Sequence, residues 1–518
     1  MRIDFRTAAK SIAVFLLWAL LFCLVYAPAP LYTSNENQYF LRGMANAGYG
    51  FLNTDWFSTT RDSTPLFSWL IEGTYRLFGG MTPVYLYYAL LMGLYLYSMA
   101  GICGQVFDSL QSRTERLLFF TLVLLVHSAA LRALLSFSLG EQWKYLLEGG
   151  VAGQRIFGEA FQPSVFAVFL LLSICLFLRR KPYLAVLSLA LAAAMHPTYL
   201  LTAGWITLAY CSIIWFKDKS FKNALFTGLT ALVLVLPVLY YTYNLFAPHD
   251  LQLYQRTRHE MVYFRIPHHA LVSEWFNPSV IIALLLILAA LYLARSNRLF
   301  WVMLVLLVSA VGLTLVQLAT GSITLALMFP WRASILLVPL STCLLLAYGL
   351  DRAWGRWGNR LEEHRRLVYS MAALMIIGLV IAGLLDFRQA LLSKQNAPEM
   401  PLYRYVEQHA RAGQVYIIPL GMQDFRLETG VPVMADFKSI PYQEGDFAEW
   451  LGRVHRISYI YRQPGAGDTC DQLDYFRRKL DATHIVLPQT AFSLQCDRMA
   501  EIYNDGEYAV RQLLSPIE

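Results

Sequence analysis

Long apolar runs separated by short basic connections set the pattern of this 518-residue chain. A bilayer-spanning helix needs about 20 mostly apolar residues. On that rule the sequence predicts helices over 10–29, 82–105, 116–137, 162–178, 183–196, 198–216, 224–244, 278–294, 299–319, 332–350 and 367–386. That is an all-α polytopic membrane bundle of about eleven transmembrane helices. Around His196-Pro197-Thr198 the apolar run is too long for one helix, and the proline, which lacks a backbone donor, favours a hairpin of two. Beyond about residue 390 the pattern changes. Apolar runs shorten (415–419, 431–434, 484–488) between helix-like stretches (402–410, 446–456, 472–480), an alternation that predicts a small α/β domain. Two domains are therefore expected, 1–386 in the membrane and 387–518 outside the cytoplasm.

Composition agrees with that pattern. The chain is 57% hydrophobic and 15% charged, with mean hydropathy +0.44, which excludes an ordinary soluble protein of this length. Its net charge of +7 gathers in clusters at Arg113 and Arg116, Arg179-Arg180-Lys181, Lys217, Lys219 and Lys222, Arg295 and Arg298, and from Arg352 to Arg366. With the N-terminus inside, every cluster falls on the cytoplasmic face, provided the hairpin counts as two spans. Such spacing does not suggest nucleic-acid binding. Arg2, Arg6 and Lys10 followed by apolar residues and Ala27-Pro28-Ala29 imitate a signal peptide, but the length of the run and the proline favour an uncleaved first helix. The expected location is a bacterial inner (cytoplasmic) membrane, crossed many times. Five cysteines lie in apolar runs, whereas Cys470 and Cys496 lie in the external tail, where a disulfide could form.

Four polar segments should share the outer face. The first, 30–81, holds Glu36, Asp55 and Asp62, and its 64–78 portion places Leu66, Trp69, Leu70 and Tyr75 at helical spacing, as for a helix lying in the membrane interface. The second, 138–161, holds Glu141, Gln154, Arg155 and Glu159. A third, 245–277, contains Arg265-Ile266-Pro267-His268-His269, and the fourth ends in Pro330-Trp331-Arg332. Sugar transfer from a phosphate-linked donor needs a base within reach of the acceptor proton and cations where phosphate charge develops. Glu36 is the candidate base, with Asp55 in reserve. Arg332, Arg265, His268 and Arg155 are candidates for the donor phosphate, and His269, His196, Asn35 and Tyr39 for orienting substrate. A divalent metal could also be held at His268 or Glu36. Against these stand plainer readings: a solvated loop acid for Glu36, snorkelling for Arg332, and a helix-break cap for His196. No Gly-rich phosphate loop, Ser-His-Asp order or nucleotide fingerprint occurs.

The acid just past the first helix, the long first external loop and the external α/β tail resemble the GT-C superfamily of polytopic membrane glycosyltransferases. The chain also looks like bacterial GT-C-like membrane proteins of unknown function at His196-Pro197-Thr198, at Arg265 to His269, and at Phe425-Arg426-Leu427, Asp436-Phe437-Lys438-Ser439 and Pro441-Tyr442. The resemblance implies an inverting glycosyltransferase that moves a sugar from a polyprenyl-phosphate donor in the membrane to an envelope glycan, lipid or protein, with Glu36 as base and Arg332 on the carrier phosphate. Many members carry an aspartate or an Asp-Glu pair where this chain has one Glu between asparagines. A carrier-lipid-dependent glycan ligase and a lipid or solute transporter are the competing classes. The geometric expectation is that Glu36 faces the Arg265–His269 segment and Arg332 across an external cavity.

Overall fold

The structure is a computed structural model and describes residues 5–107, 109–465, 467–497 and 499–514, so Arg2 lies outside it. Helices occupy every predicted apolar run: Phe5–Tyr26, Val84–Phe107, Arg113–Val126 with Ala129–Leu139, Val168–Leu178, Pro182–Met195, Leu200–Phe216, Phe221–Phe246, Pro278–Ala294, Arg298–Thr320, Ser334–Glu363 and Arg365–Gln395. Among the described residues six helices are long and apolar enough to cross a membrane, or seven if the bent pair at 113–139 is one span. Apolar helices of 10–17 residues occupy four further runs. The hairpin at His196 is real. His196 is extended, ends the Pro182–Met195 helix and precedes a 3-10 turn at Pro197–Tyr199.

The connections sort to opposite ends of the bundle. Asp218 pairs with Arg180 at 2.9 Å and with Arg298, Asn297 donates to the Gln105 carbonyl, and the hydroxyls of Thr114 and Tyr369 meet at 3.4 Å. The basic connections thus share one end, and the four polar segments gather at the other.

In the first polar segment the helix Pro65–Phe78 buries Phe67 and Ile71, while Trp69 points outward. Of the expected stripe, Trp69 is exposed and Leu66, Leu70 and Tyr75 are half-buried. The helix lies so close to its neighbour Leu41–Ala47 that a Cβ on Gly43 would come within 2.6 Å of Ile71 Cβ. Trp69, Leu77 and Phe78 leave its outer face apolar, as a helix in the bilayer interface requires.

The tail begins where the Arg365–Gln395 helix ends. Its sheet has the order β1-β2-β4-β3, from β1 (Tyr416–Ile417), β2 (His484–Pro488), β3 (Met499–Asn504) and β4 (Tyr508–Leu513). Strands β1 and β2 run parallel, and β4 is antiparallel to both its neighbours. The apolar run at 431–434 forms only an isolated bridge, Tyr416 to Val433, rather than a full strand. Helices Met400–His409, Glu444–Arg462 and Thr469–Leu480 cover the sheet, and Cys470 and Cys496 are joined in a disulfide with Cα atoms 5.6 Å apart.

A buried ion triad docks this tail on the first polar segment. Arg426 Nε meets Asp55 Oδ2 at 2.7 Å, and its Nη1 meets Asp436, with all three side chains almost fully buried. Asp55 also accepts from the amides of Phe57 and Val433. It is therefore a structural acid, which removes it as the reserve base. Nearby, Phe51 N donates to Gly430 O at 2.8 Å, and any Cβ on Gly50 would strike the Gly430 backbone. Removing one member of a buried ion pair strands the other charge and costs about 3–5 kcal/mol. Arg426→Leu should therefore lower thermal stability by that order in detergent-purified protein. An unchanged melting curve would show that the triad does not hold the tail.

Candidate functional site

Four cations converge on the His268–His269 pair. The helix Leu251–Glu260 runs into a π-helical turn, Met261–Arg265, and a short helix from Pro267 then presents both histidines, whose ring centroids are 4.1 Å apart. Burial and the fields of Arg265 and Lys438 hold the His268 imidazole below its ordinary value. Burial, His268, Arg332 and Arg155 push His269 down to about 3. Both rings are neutral near pH 7, so neither acts as a standing cation for phosphate. His269 Nδ1 lies 2.6 Å from the Ala152 carbonyl, which places its proton on that nitrogen.

None of Arg155, Arg265, Arg332 and Lys438 forms an ion pair among the described residues. The Nε atoms of Arg265 and Arg332 are buried without a hydrogen-bond partner, as are Trp331 Nε1 and His196 Nδ1. Arg265 stacks on Phe437 and donates to the Lys438 carbonyl at 3.3 Å. The Arg332 guanidinium lies over the rings of Tyr199 at 5.8 Å and Phe329 at 5.6 Å. Buried donors without acceptors are rare, because each forfeits a hydrogen bond it had in water. Several of them gathered among neighbouring cations form a cluster of positive charge with unused donors.

The surrounding backbone is over-determined. Val151 N donates to Ser334 Oγ, which donates onward to Trp331 O, and Gln317 Nε2 donates to Ala270 O. These bonds interlock the second, third and fourth polar segments. Ala152 (φ 58°) and Phe329 (φ 49°) sit in the left-handed region, unusual for residues with a Cβ and held here by those contacts.

Tyr39 and His196 both lie within the field of Arg332. Their rings are 6.3 Å apart, His196 lies 5.3 Å from Tyr199, and Tyr39 is hydrogen-bonded to Tyr442, with burial pushing its hydroxyl upward. Arg155 stacks on Tyr145 at 3.7 Å on the rim of an adjoining cleft. Asn35 is elsewhere: its amide donates to Gln162, just past the second polar segment, and holds the first segment there.

Glu36 does not look across the opening. It is 3% exposed, with Oε2 accepting from Tyr32 N at 2.7 Å and Oε1 from Phe161 N at 2.9 Å. Burial raises its carboxyl to about 7 against those amides, and the cation that acts on it is Lys394. The acid is a clasp between the first two polar segments, which corrects the expectation that it faces Arg265 and Arg332. Among the described residues no three His, Cys, Asp or Glu side chains come together as metal ligands.

Lys438 and Tyr442 entered the sequence analysis only as part of the family resemblance, with no site role. They come from the tail, and Asp436 sets the lysine in place, since its Oδ1 accepts from Lys438 N at 2.6 Å and Ser439 N at 2.7 Å. The same carboxylate pairs with Arg426, so the docking triad also shapes one wall of the site.

Residues 397–457 match a domain family described as a domain of unknown function, DUF6798. That span contains Arg426, Asp436, Lys438 and Tyr442. No curated protein matches the chain. Among solved structures, it is similar to the apo oligosaccharyltransferase of Archaeoglobus fulgidus, at 11% identity and TM-score 0.48, over 92% of this chain and 69% of that one. Archaeal oligosaccharyltransferase AglB from the same organism, in complex with an inhibitory peptide and a dolichol-phosphate, gives 10% identity and TM-score 0.44, over 94% and 70%. That oligosaccharyltransferase is a GT-C enzyme. At these scores the likeness carries no residue's role across.

Two outcomes test this geometry. Glu36→Ala leaves two amides without their acceptor, at about 1–3 kcal/mol each, and should lower the melting temperature. For His269 the unfolded chain takes up a proton near the ordinary value of 6.5, and the folded chain only near 3. Its contribution is therefore complete above pH 6.5 and lost as pH falls from 6.5 toward 3. His269→Gln should flatten that acid limb in melting curves taken between pH 7.5 and 4.5.

Proposed function

We propose that this protein is a multi-pass membrane glycosyltransferase of GT-C type that uses a sugar donor linked to a polyprenyl phosphate. The supporting observation is the group of cations without ion pairs among the described residues, two of them with a buried, unsatisfied Nε, at one end of an apolar bundle. A lipid carrier keeps its phosphate at the depth of the outer helix ends, where Arg265, Arg332 and Lys438 stand. Guanidinium groups bind phosphate with directed, charge-assisted hydrogen bonds, which suits this ligand better than a neutral solute. The opposite end carries the basic connections, so eleven spans with a cytoplasmic N-terminus put this opening and the tail outside the cytoplasm of a bacterial inner membrane.

In the reaction the acceptor hydroxyl oxygen bonds to the anomeric carbon as the bond from that carbon to the phosphate oxygen breaks. The polyprenyl phosphate leaves with the electron pair, stabilised by Arg265, Arg332 and Lys438. His268, exposed beside those cations, accepts the hydroxyl proton. A bound phosphate offsets the positive field that depresses this imidazole, so its basicity returns when the donor is seated.

The test is transfer of labelled sugar from a synthetic polyprenyl-phosphate donor by purified protein. Arg265→Gln and Arg332→Gln should each reduce transfer about 100-fold or more and weaken binding of the carrier. His268→Gln should lower the rate by a similar factor with carrier binding kept. Wild-type binding of polyprenyl phosphate by the double arginine variant would sink the proposal.

A further inference from the structure

Beside the cationic opening lies a cleft of about 390 Å³, between the second polar segment and the start of the Pro278–Ala294 helix. That size falls within the range of small-ligand sites. His268 links the cleft to the cations, since it lines the cleft and lies within the fields of Arg265 and Lys438. The walls carry Glu141, Gln142, Tyr145, Arg155, Glu274 and Asn277, over an apolar floor of Val151, Val280 and Ala283. The Glu274 carboxylate has no hydrogen-bond or ion-pair partner among the described residues, and Glu141 and Glu274 are both exposed.

We infer that this cleft receives the saccharide carried by the lipid phosphate, an inference that rests on the phosphate reading of the adjoining cations. A glycan joined to a phosphate at Arg265 and Lys438 passes His268 and enters here. The choice of occupant follows from the lining. An isoprenoid tail would desolvate the unpartnered Glu274 carboxylate and that of Glu141, which accepts from the Ser136 hydroxyl, a large penalty for charged groups. Sugar hydroxyls donate to those carboxylates and accept from Arg155 and from the amides of Gln142 and Asn277. The apolar floor suits the C–H face of a pyranose. Arg155, which the sequence placed on the phosphate, is held against Tyr145 and turns to the glycan instead.

The full-length protein in nanodiscs is titrated with two probes, polyprenyl phosphate and the same carrier bearing one hexose. Glu141→Gln/Glu274→Gln should bind the bare carrier as wild type does and the hexose-bearing carrier about tenfold more weakly. Thermal melting serves as the check on folding for these exposed positions. Unchanged affinity for both probes would overturn the saccharide subsite and leave the phosphate reading standing. An equal loss for both would overturn it too, by assigning the cleft to the phosphate. If the variant binds both carriers normally but needs more acceptor for transfer, the cleft belongs to the acceptor's saccharide and the donor assignment fails. Should wild-type protein bind neither probe, the phosphate reading falls first and this inference with it.

Discussion

Arg426 holds two carboxylates in a dry interface, one from the first polar segment of the membrane bundle and one from the tail. The desolvation of three charges is costly and is offset only because the partners are close and their remaining oxygens are taken by backbone amides. Asp55 accepts from Phe57 and Val433, and Asp436 from Lys438 and Ser439. This makes the triad a geometric constraint as much as a source of stability. It fixes where the tail sits and, through Asp436, where the loop bearing Lys438 and Tyr442 stands relative to the membrane helices. The matched domain family, 397–457, covers the two members of this constraint that belong to the tail.

The contrast between paired and unpaired cations organises the rest. Several cations elsewhere are answered locally: Arg132 by Glu148, Arg298 by Asp218, Lys394 by Glu428. Arg155, Arg265, Arg332 and Lys438 are not, and their mutual repulsion is tolerated by stacking on Tyr145, Phe437 and Tyr199 and by interlocked loops. Positive charge concentrated in a poorly solvated space lowers the affinity of each neighbouring group for protons, as seen at His268, His269 and Lys438. An anion entering such a space relieves the repulsion that was there before it.

How much of this was legible beforehand varies with the range of the physics involved. The helices were readable because apolar length is a local property, and the proline after His196 marked the hairpin by removing a backbone donor. Arg265, His268, His269 and Arg332 stood out as polar groups at the ends of apolar runs. The hairpin β3–β4 escaped notice: β3 shows no buried position, so the alternation that reveals a half-buried strand is absent there. Residues 431–434 read as a strand because four apolar residues cannot distinguish a ladder from a buried extended loop.

Glu36 shows where sequence position misleads. An acid just beyond the first helix is at the right depth for chemistry, but direction is set by what lies around it. Here the amides of Tyr32 and Phe161 turn it into a clasp, and Phe161 is 125 residues away. The sequence by itself determined the membrane bundle, the hairpin, the grouping of basic connections and the set of polar segments, because apolar length and charge placement act along the chain. Only the tertiary structure decided that Asp55 serves docking, that Glu36 closes inward, and that Lys438 and Tyr442 join His268, Arg265 and Arg332. Those outcomes depend on contacts between distant segments, whose distances and partners no local pattern encodes.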